Sequence, residues 1–96
     1  MKEIKLESFG PVISDKDIGE KIYQLIKKEL ESNDKVSINM NSIISMATYC
    51  AKQIFGRLYI ELGPENFYDK LSFKNASDDI KIIMKIGIEN SLRTKK

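Results

Sequence analysis

The chain has 96 residues, of which 42% are hydrophobic and 31% are charged, and this combination is typical of one globular domain. Its 16 basic and 14 acidic residues create no strong field that would direct it to nucleic acid or an anionic membrane. It has no histidine and one cysteine, Cys50, which excludes an internal disulfide, a Ser-His or Cys-His pair and a histidine-containing zinc site. No glycine-rich phosphate loop or catalytic carboxylate pair stands out. We therefore predict a binding protein rather than an enzyme, with no metal and no cofactor.

The N-terminal run MKEIKLESFG interrupts its apolar residues with charges, which is not the pattern of a signal peptide. No apolar run approaches the roughly 20 residues that a membrane helix requires. We expect a cytoplasmic location and a single domain over residues 1–96, with a solvated tail at 92–96.

The first elements are extended. Residues Lys2–Ser8 alternate between apolar and charged side chains, as a half-buried strand does. Phe9-Gly10-Pro11 interrupts this pattern, because glycine permits turn geometry and proline cannot donate to a ladder. Val12-Ile13 then resumes a short extended piece. A hairpin and a bent edge strand both fit these residues.

A helix is predicted next. Ser14 or Asp15 can cap its first amide groups, and Ser32-Asn33-Asp34 ends it. The apolar residues recur at helical spacing and form one stripe: Ile18, Ile22, Leu25, Ile26 and Leu30.

The run from Val36 to Met40 alternates again, with Ser37 and Asn39 as its polar members. We expect these two side chains to point away from the helices and the three apolar ones to point toward them. A strand, a helix and a strand in this order predict a right-handed βαβ unit over residues 12–40.

A hydroxyl-rich turn, Ser42–Thr48, separates this strand from a second helix. Gly63-Pro64 ends that helix, as a glycine cap followed by proline commonly does. Its apolar stripe consists of Ala51, Ile54, Phe55, Leu58 and Leu62.

The remaining residues predict a short helical turn at Pro64–Asp69, a third short strand at Leu71–Phe73, and a last helix that follows Ser77. The apolar stripe of this last helix consists of Ile80, Ile83, Met84, Gly87, Ile88 and Leu92. Alternating helices and strands favour an α/β fold. We predict a small mixed or parallel sheet of about four strands, packed with three main helices.

The run VSINMNSIISMATYCAKQIFGRLYIELG, with GPVISDKDIGEKI before it and ENFYDKLSFKNAS after it, resembles the STAS-like domains of unknown function found in bacteria. These look like relatives of the STAS domains of anti-sigma factor antagonists. The resemblance covers about residues 9–92. Its most specific parts are the hydroxyl residues before the run that contains Ala51, Phe55, Gly56 and Leu58, then Leu62-Gly63, and the later Lys74-Asn75-Ala76-Ser77.

The resemblance implies a cytoplasmic signalling module, active in transcription regulation, that binds a histidine-kinase-like ATPase or an anti-sigma-type kinase. In such domains a serine or threonine at the start of the helix after the central strand is phosphorylated, and this abolishes binding. By position that residue is Thr48, with Ser45 as the second choice. The aspartate usual before the phosphoacceptor is Ala47 here, and Lys16 stands where arginine is common.

The residues themselves leave two interpretations of Thr48 open, since a hydroxyl at a helix N-terminus can cap it and a phosphate there would meet the same amides. Tyr49 lies off the apolar stripe and is a candidate partner contact or an ordinary exposed aromatic. Cys50 borders the stripe, which favours a buried small hydrophobe. Further candidates, as partner contacts or as a solvated or turn surface, are Ser42, Lys52, Gln53 and Arg57.

These residues leave two functions open and argue against a third. The first is a partner-binding module that uses the Ser42–Thr48 turn and the exposed face of the following helix. The second is a small-ligand or nucleotide sensor that places an anion at the same helix N-terminus. The third is an enzyme, but the sequence contains no nucleophile motif. Nucleic-acid binding is also disfavoured, because the sequence contains no basic stripe with stacking aromatics.

Overall fold

Parallel strands and helices alternate through the part of the chain that the structure, a computed structural model, describes, which is residues 2–94. The elements in chain order are β1 (Lys2–Lys5), a 3-10 turn (Leu6–Phe9), β2 (Val12–Ile13), α1 (Lys16–Ser32), β3 (Val36–Asn39), β4 (Ser45–Met46), α2 (Thr48–Ala51), a π-helical segment (Lys52–Gly56), α3 (Arg57–Leu62), α4 (Pro64–Lys70), β5 (Leu71–Lys74) and α5 (Asp78–Thr94). The elements from α2 to α3 follow one another without a break, and residues 48–62 are called the central helix below.

The strands form two parallel sheets. One has the order β1-β3-β5 and the other pairs β2 with β4. In the larger sheet Ile4, Ile38 and Phe73 lie side by side in register, and helices supply the crossovers that parallel strands need. The predicted α/β class is confirmed, with five strands rather than four among the described residues.

Of the two interpretations of the first strands, the hairpin is wrong. β1 and β2 do not form a hairpin, because β1 pairs with β3 whereas β2 pairs with β4. The βαβ unit that contains α1 therefore begins with β1, not at residue 12. The physical cause is the 3-10 turn and Gly10, whose φ of 103° turns the chain out of the first sheet before β2 starts.

The burial of β3 also differs from the prediction. Asn39 is half-buried, but Ser37 is buried although its polar side chain was expected to point away from the core. Ser37 occupies the middle strand between Glu3 and Ser72, so neighbouring strands shield it on both sides. Its hydroxyl has no hydrogen-bond partner among the described residues.

The start of α1 and the end of the central helix follow the predicted capping. The carboxylate of Asp15 accepts a hydrogen bond of 2.7 Å from the Asp17 amide at the start of α1. Gly63, with a φ of 84°, ends the central helix. α5 extends through Thr94, so residues 92–94 of the predicted tail are helical, while residues 95–96 lie outside the described residues. No helix within residues 2–94 has the length and apolar character needed to cross a membrane.

α5 packs most extensively against the π-helical segment of the central helix. Each of the two helices has a glycine at this contact. A Cβ built on Gly87 would lie 2.7 Å from the Ala51 carbonyl carbon and 2.7 Å from the Lys52 nitrogen, and one built on Gly56 would lie 2.8 Å from the Gly87 carbonyl oxygen. These distances are shorter than van der Waals contact, so the two helices approach as closely as they do only because both positions lack a side chain.

Candidate functional site

The N-terminus of the central helix has no side-chain cap. Ala47 occupies the N-cap position, and its carbonyl accepts hydrogen bonds from the amides of Cys50 (3.0 Å) and Ala51 (3.1 Å). Thr48 is the first helical residue and its side chain is exposed. The interpretation of Thr48 as a helix cap is therefore wrong, because the N-cap geometry falls one residue earlier than the hydroxyl.

Tyr49 is 48% exposed, as predicted, but it is held in place. Its hydroxyl donates a hydrogen bond to the Ser14 carbonyl oxygen. The ammonium of Lys16 lies 5.7 Å from the centroid of its ring, within cation–π range. Tyr49 thus joins the start of the central helix to the start of α1 while keeping about half of its surface accessible.

Gln53 and Arg57 are half-buried, and both contact α1. The Gln53 Nε2 donates to the Lys16 carbonyl oxygen at 2.9 Å and to Glu20 Oε1 at 3.5 Å. Arg57 Nη1 donates to Glu20 Oε1 at 2.8 Å. Hydrogen bonds from Gln24 and Arg57 lower the pKa of Glu20 below its ordinary value. These contacts fix one face of the π-helical segment against α1.

The same network continues toward the end of the central helix. The Arg57 guanidinium carbon lies 3.7 Å from the centroid of the Tyr23 ring, and the Tyr23 hydroxyl donates to Glu61 Oε1 at 2.5 Å. Lys27 lies 3.7 Å from that carboxylate. A hydrogen bond to Tyr23 and the charge of Glu61 raise the pKa of Lys27. The network thus joins α1 to the central helix from Gln53 to Glu61 along one border of the site.

A groove of about 470 Å³ runs along this face. Four predicted site residues line it, namely Tyr49, Lys52, Gln53 and Arg57. Its other three lining residues, which the sequence did not single out for the site, are Lys16, Ile60 and Ser91. Three cations and no carboxylate line it. Arg57 is paired with Glu20, whereas Lys16 and Lys52 form no ion pair within the described residues. The groove is therefore suited to negatively charged groups.

Ser42, Ser45 and Thr48 do not line this groove. Ser42 adopts a positive φ of 70° in the turn after β3, which is a conformation that few non-glycine residues adopt. Ser45 is exposed on β4, opposite Val12. The predicted turn therefore contains a strand, and two residues are too few for the alternation that would have indicated one.

Two exposed apolar residues beside this strand were missed. Ile44 is 72% exposed and Val12 is 52% exposed. The Ile44 amide donates to the Pro11 carbonyl at 2.7 Å, which brings the two side chains to the same end of the β2–β4 sheet. Residue type alone could not distinguish them from core residues, because both occur in apolar runs of the sequence.

Cys50 is fully buried, as predicted. Its Sγ lies 3.6 Å from the Asp15 carbonyl oxygen. Burial, with a contribution from the Asp15 charge, raises the pKa of the thiol. This setting is that of a packed structural cysteine and not of a reactive thiol. Within residues 2–94, no group of three or more Cys, Asp or Glu residues is arranged to hold a metal ion.

Comparison with known proteins identifies the family. Residues 19–81, about two thirds of the chain, match the STAS-like domain of unknown function (DUF4325). A search of curated proteins and a search of solved structures return no significant match. The matched residues include most of α1, the β3–β4 turn, the whole central helix and β5. The chain therefore belongs to the family of STAS-like domains of unknown function.

Proposed function

We propose that this STAS-type module is a bacterial cytoplasmic signalling protein that docks a histidine-kinase-like ATPase or another anti-sigma-type partner. The docking surface combines the end of the β2–β4 sheet with the exposed start of the central helix and the cationic groove. The observation that carries the proposal is the exposure of Ile44 four residues before Thr48, in a chain segment that leads directly to Tyr49 and Lys52.

The composition of this surface supports a protein partner. Ile44 and Val12 provide exposed apolar area, and Tyr49 is a rigid aromatic of the kind enriched at binding hot spots. Lys16 and Lys52 border it, and within residues 2–94 neither forms an ion pair. A partner with an apolar pocket surrounded by carboxylates is complementary to this arrangement, because opposite charges around an apolar centre set orientation and speed association.

Phosphorylation of Thr48 is the proposed switch, with Ser45 as the second acceptor. Both side chains are exposed, so a kinase could reach them. A phosphate on Thr48 would carry nearly two negative charges at the positive end of the central helix. It would oppose the carboxylates of an acidic partner, and docking would therefore weaken on phosphorylation.

Calorimetry tests this surface by measuring binding to a candidate ATPase that a neighbouring gene encodes. We expect Ile44→Asp and Lys52→Glu each to weaken binding about tenfold or more, since each removes a contact and adds an unfavourable charge. Lys21→Glu and Lys28→Glu, on exposed positions of α1, are matched controls that should bind like the wild type. Equal affinity for all four variants would contradict the assigned surface.

Two further measurements test the phosphorylation switch and the alternative function as a nucleotide sensor. Mass spectrometry of the protein incubated with the ATPase and ATP should place a phosphate on Thr48 or Ser45, and Thr48→Ala should move or abolish it. A nucleotide sensor using the same helix N-terminus would instead show a rise in melting temperature on addition of ATP or GTP without a partner.

A further inference from the structure

A second groove lies on another side of α5. Its volume is about 520 Å³, and none of its lining residues belongs to the cationic groove. Four aromatic side chains form its walls, namely Tyr59, Phe67, Tyr68 and Phe73, and Met84 is among the other apolar residues that line it. Its size falls within the range of small-molecule sites, which are mostly apolar with a few polar groups.

The aromatic walls are mutually packed. The Tyr59 and Phe67 rings lie 5.3 Å apart between centroids, Phe67 and Tyr68 lie 5.1 Å apart, and Phe67 and Phe73 lie 5.8 Å apart. The first two pairs meet edge to face and the third is tilted. Tyr68 nevertheless remains 65% exposed. The groove is therefore a preformed aromatic surface to which one more flat ring can be added by the same edge-to-face or offset contacts.

Two ammonium groups stand at the border of this apolar surface. Lys81 and Lys85 are one turn apart on α5, so they share a face, and both line the groove. Within the described residues neither forms an ion pair. Glu89 also borders the groove one turn further on but forms no ion pair with Lys85. Two like charges that form no ion pair among the described residues, next to apolar walls, are complementary to an anion attached to an apolar body.

We propose that this groove binds a small aromatic carboxylate, with the ring against Tyr59, Tyr68 and Phe73 and the carboxylate between Lys81 and Lys85. The carboxylate relieves the repulsion between the two ammonium groups, and the ring covers apolar surface that is now exposed to water. For a ligand of one or two fused rings we expect a Kd on the order of 1 mM, from the binding energy that such a number of atoms supplies.

The methionine methyl groups report on the groove. In protein labelled with [methyl-13C]methionine, 1-naphthylacetate should shift the Met84 signal in a saturable manner. The signals of Met40 and Met46, which are buried elsewhere, should not move and serve as internal controls. 2-(1-Naphthyl)ethanol, which keeps the ring without the charge, should bind at least threefold more weakly, and acetate should cause no shift.

Variants separate the two halves of the proposal. Lys81→Gln with Lys85→Gln should weaken 1-naphthylacetate binding about threefold to tenfold and leave the alcohol unchanged. The control pair Lys21→Gln with Lys28→Gln removes the same charge from α1 and should change the affinity for neither ligand. Tyr68→Ala, at a position that is 65% exposed, should weaken the binding of both ligands.

Three results would overturn the proposal. The first is an absence of any Met84 shift up to 10 mM of the carboxylate, about ten times the expected Kd. The second is equal binding of acid and alcohol that the lysine variants leave unchanged. The third is a Met84 shift that depends on protein concentration without ligand, which would place a second copy of the chain in the groove.

Discussion

The close approach of α5 and the central helix makes Gly87→Ala the most informative single substitution. An added Cβ would lie 2.7 Å from the Ala51 carbonyl carbon and from the Lys52 nitrogen, and 2.8 Å from the Ala51 Cβ. Nonbonded carbons ordinarily sit about 3.5–4.0 Å apart, so α5 must move away by about 1 Å. The nearest atoms belong to the backbone of the central helix, and no rotation of a side chain relieves them.

Two opposing effects determine the magnitude. Alanine is favoured over glycine within a helix by about 1 kcal/mol. Overpacking of a tight contact typically costs about 1–3 kcal/mol, and occasionally more, and this site lies at the upper end because the obstruction is backbone. We therefore expect Gly87→Ala to lower the free energy of unfolding by about 2 kcal/mol. For a domain of this size that is a fall in melting temperature of about 10 °C.

Urea denaturation followed by circular dichroism measures this difference, with Gly19→Ala as the comparison. A Cβ at Gly19 would meet Gln53 Oε1 at 2.2 Å, the end of a flexible side chain that can move away. Gly19→Ala should thus be less destabilising than Gly87→Ala. Combining it with Gln53→Ala should remove most of the remaining effect of Gly19→Ala. Ala51→Gly should not rescue Gly87→Ala, because it leaves the obstructing backbone in place. If Gly87→Ala is as stable as the wild type or more so, helix propensity outweighs the contact and the tight crossing is refuted.

The contacts of the site lead to three further predictions. The pKa of Glu20 is lowered in the folded state, so ionised Glu20 stabilises the protein above its ordinary pKa of 4.5, and this contribution is lost as the pH falls through the folded-state pKa. In Glu20→Gln, the melting temperature should therefore fall less steeply with decreasing pH than in the wild type. Cys50 should react with an aromatic disulfide reagent only as the protein unfolds, because burial raises its pKa, whereas Thr48→Cys should react at once; equal rates would contradict the burial. Tyr49→Phe should destabilise the protein by about 1 kcal/mol in urea, the typical value of the hydrogen bond to Ser14 that it removes, and an unchanged midpoint would show that this bond contributes nothing.

Local chemistry made the helices predictable. Asp15 caps α1 because its carboxylate can reach the Asp17 amide, and this depends only on neighbouring residues. Gly63 ends the central helix for the same local reason, since it adopts a positive φ that other residues avoid. The apolar stripes were equally visible, because burial of one helix face imposes a period of 3.6 residues.

Pairing between strands was not predictable in this way. The sequence pattern places β2 in the βαβ unit that leads to β3, yet β2 pairs with β4. Strand pairing depends on residues more than 30 positions apart, and neither β2 nor β4 is long enough to reveal a face. The burial of Ser37 has the same origin, because its polarity is a local property whereas its position in the middle strand is not.

The site was only partly predictable, because some of its residues depend on the same long-range contacts. The sequence placed Tyr49 outside the apolar stripe, and its exposure followed from helical geometry. The groove additionally requires Lys16, which comes from α1 and lies more than 30 residues away in the chain. The contacts of Gln53 and Arg57 with α1 could not be predicted from the sequence, because they depend on the close packing of α1 at the small residue Gly19.

The irregular turn of the central helix connects these observations. A π-helical segment inserts residues into an α-helix and so rotates the side chains on either side of it, and such segments are common at functional sites. Here one face of the segment contains Gly56 and packs against α5, while another holds Gln53 against α1. Lys52 begins the segment and lines the cationic groove. A Cβ at Gly87 would meet the Lys52 backbone nitrogen, so Gly87→Ala should displace Lys52 in the groove and weaken partner binding without touching the partner.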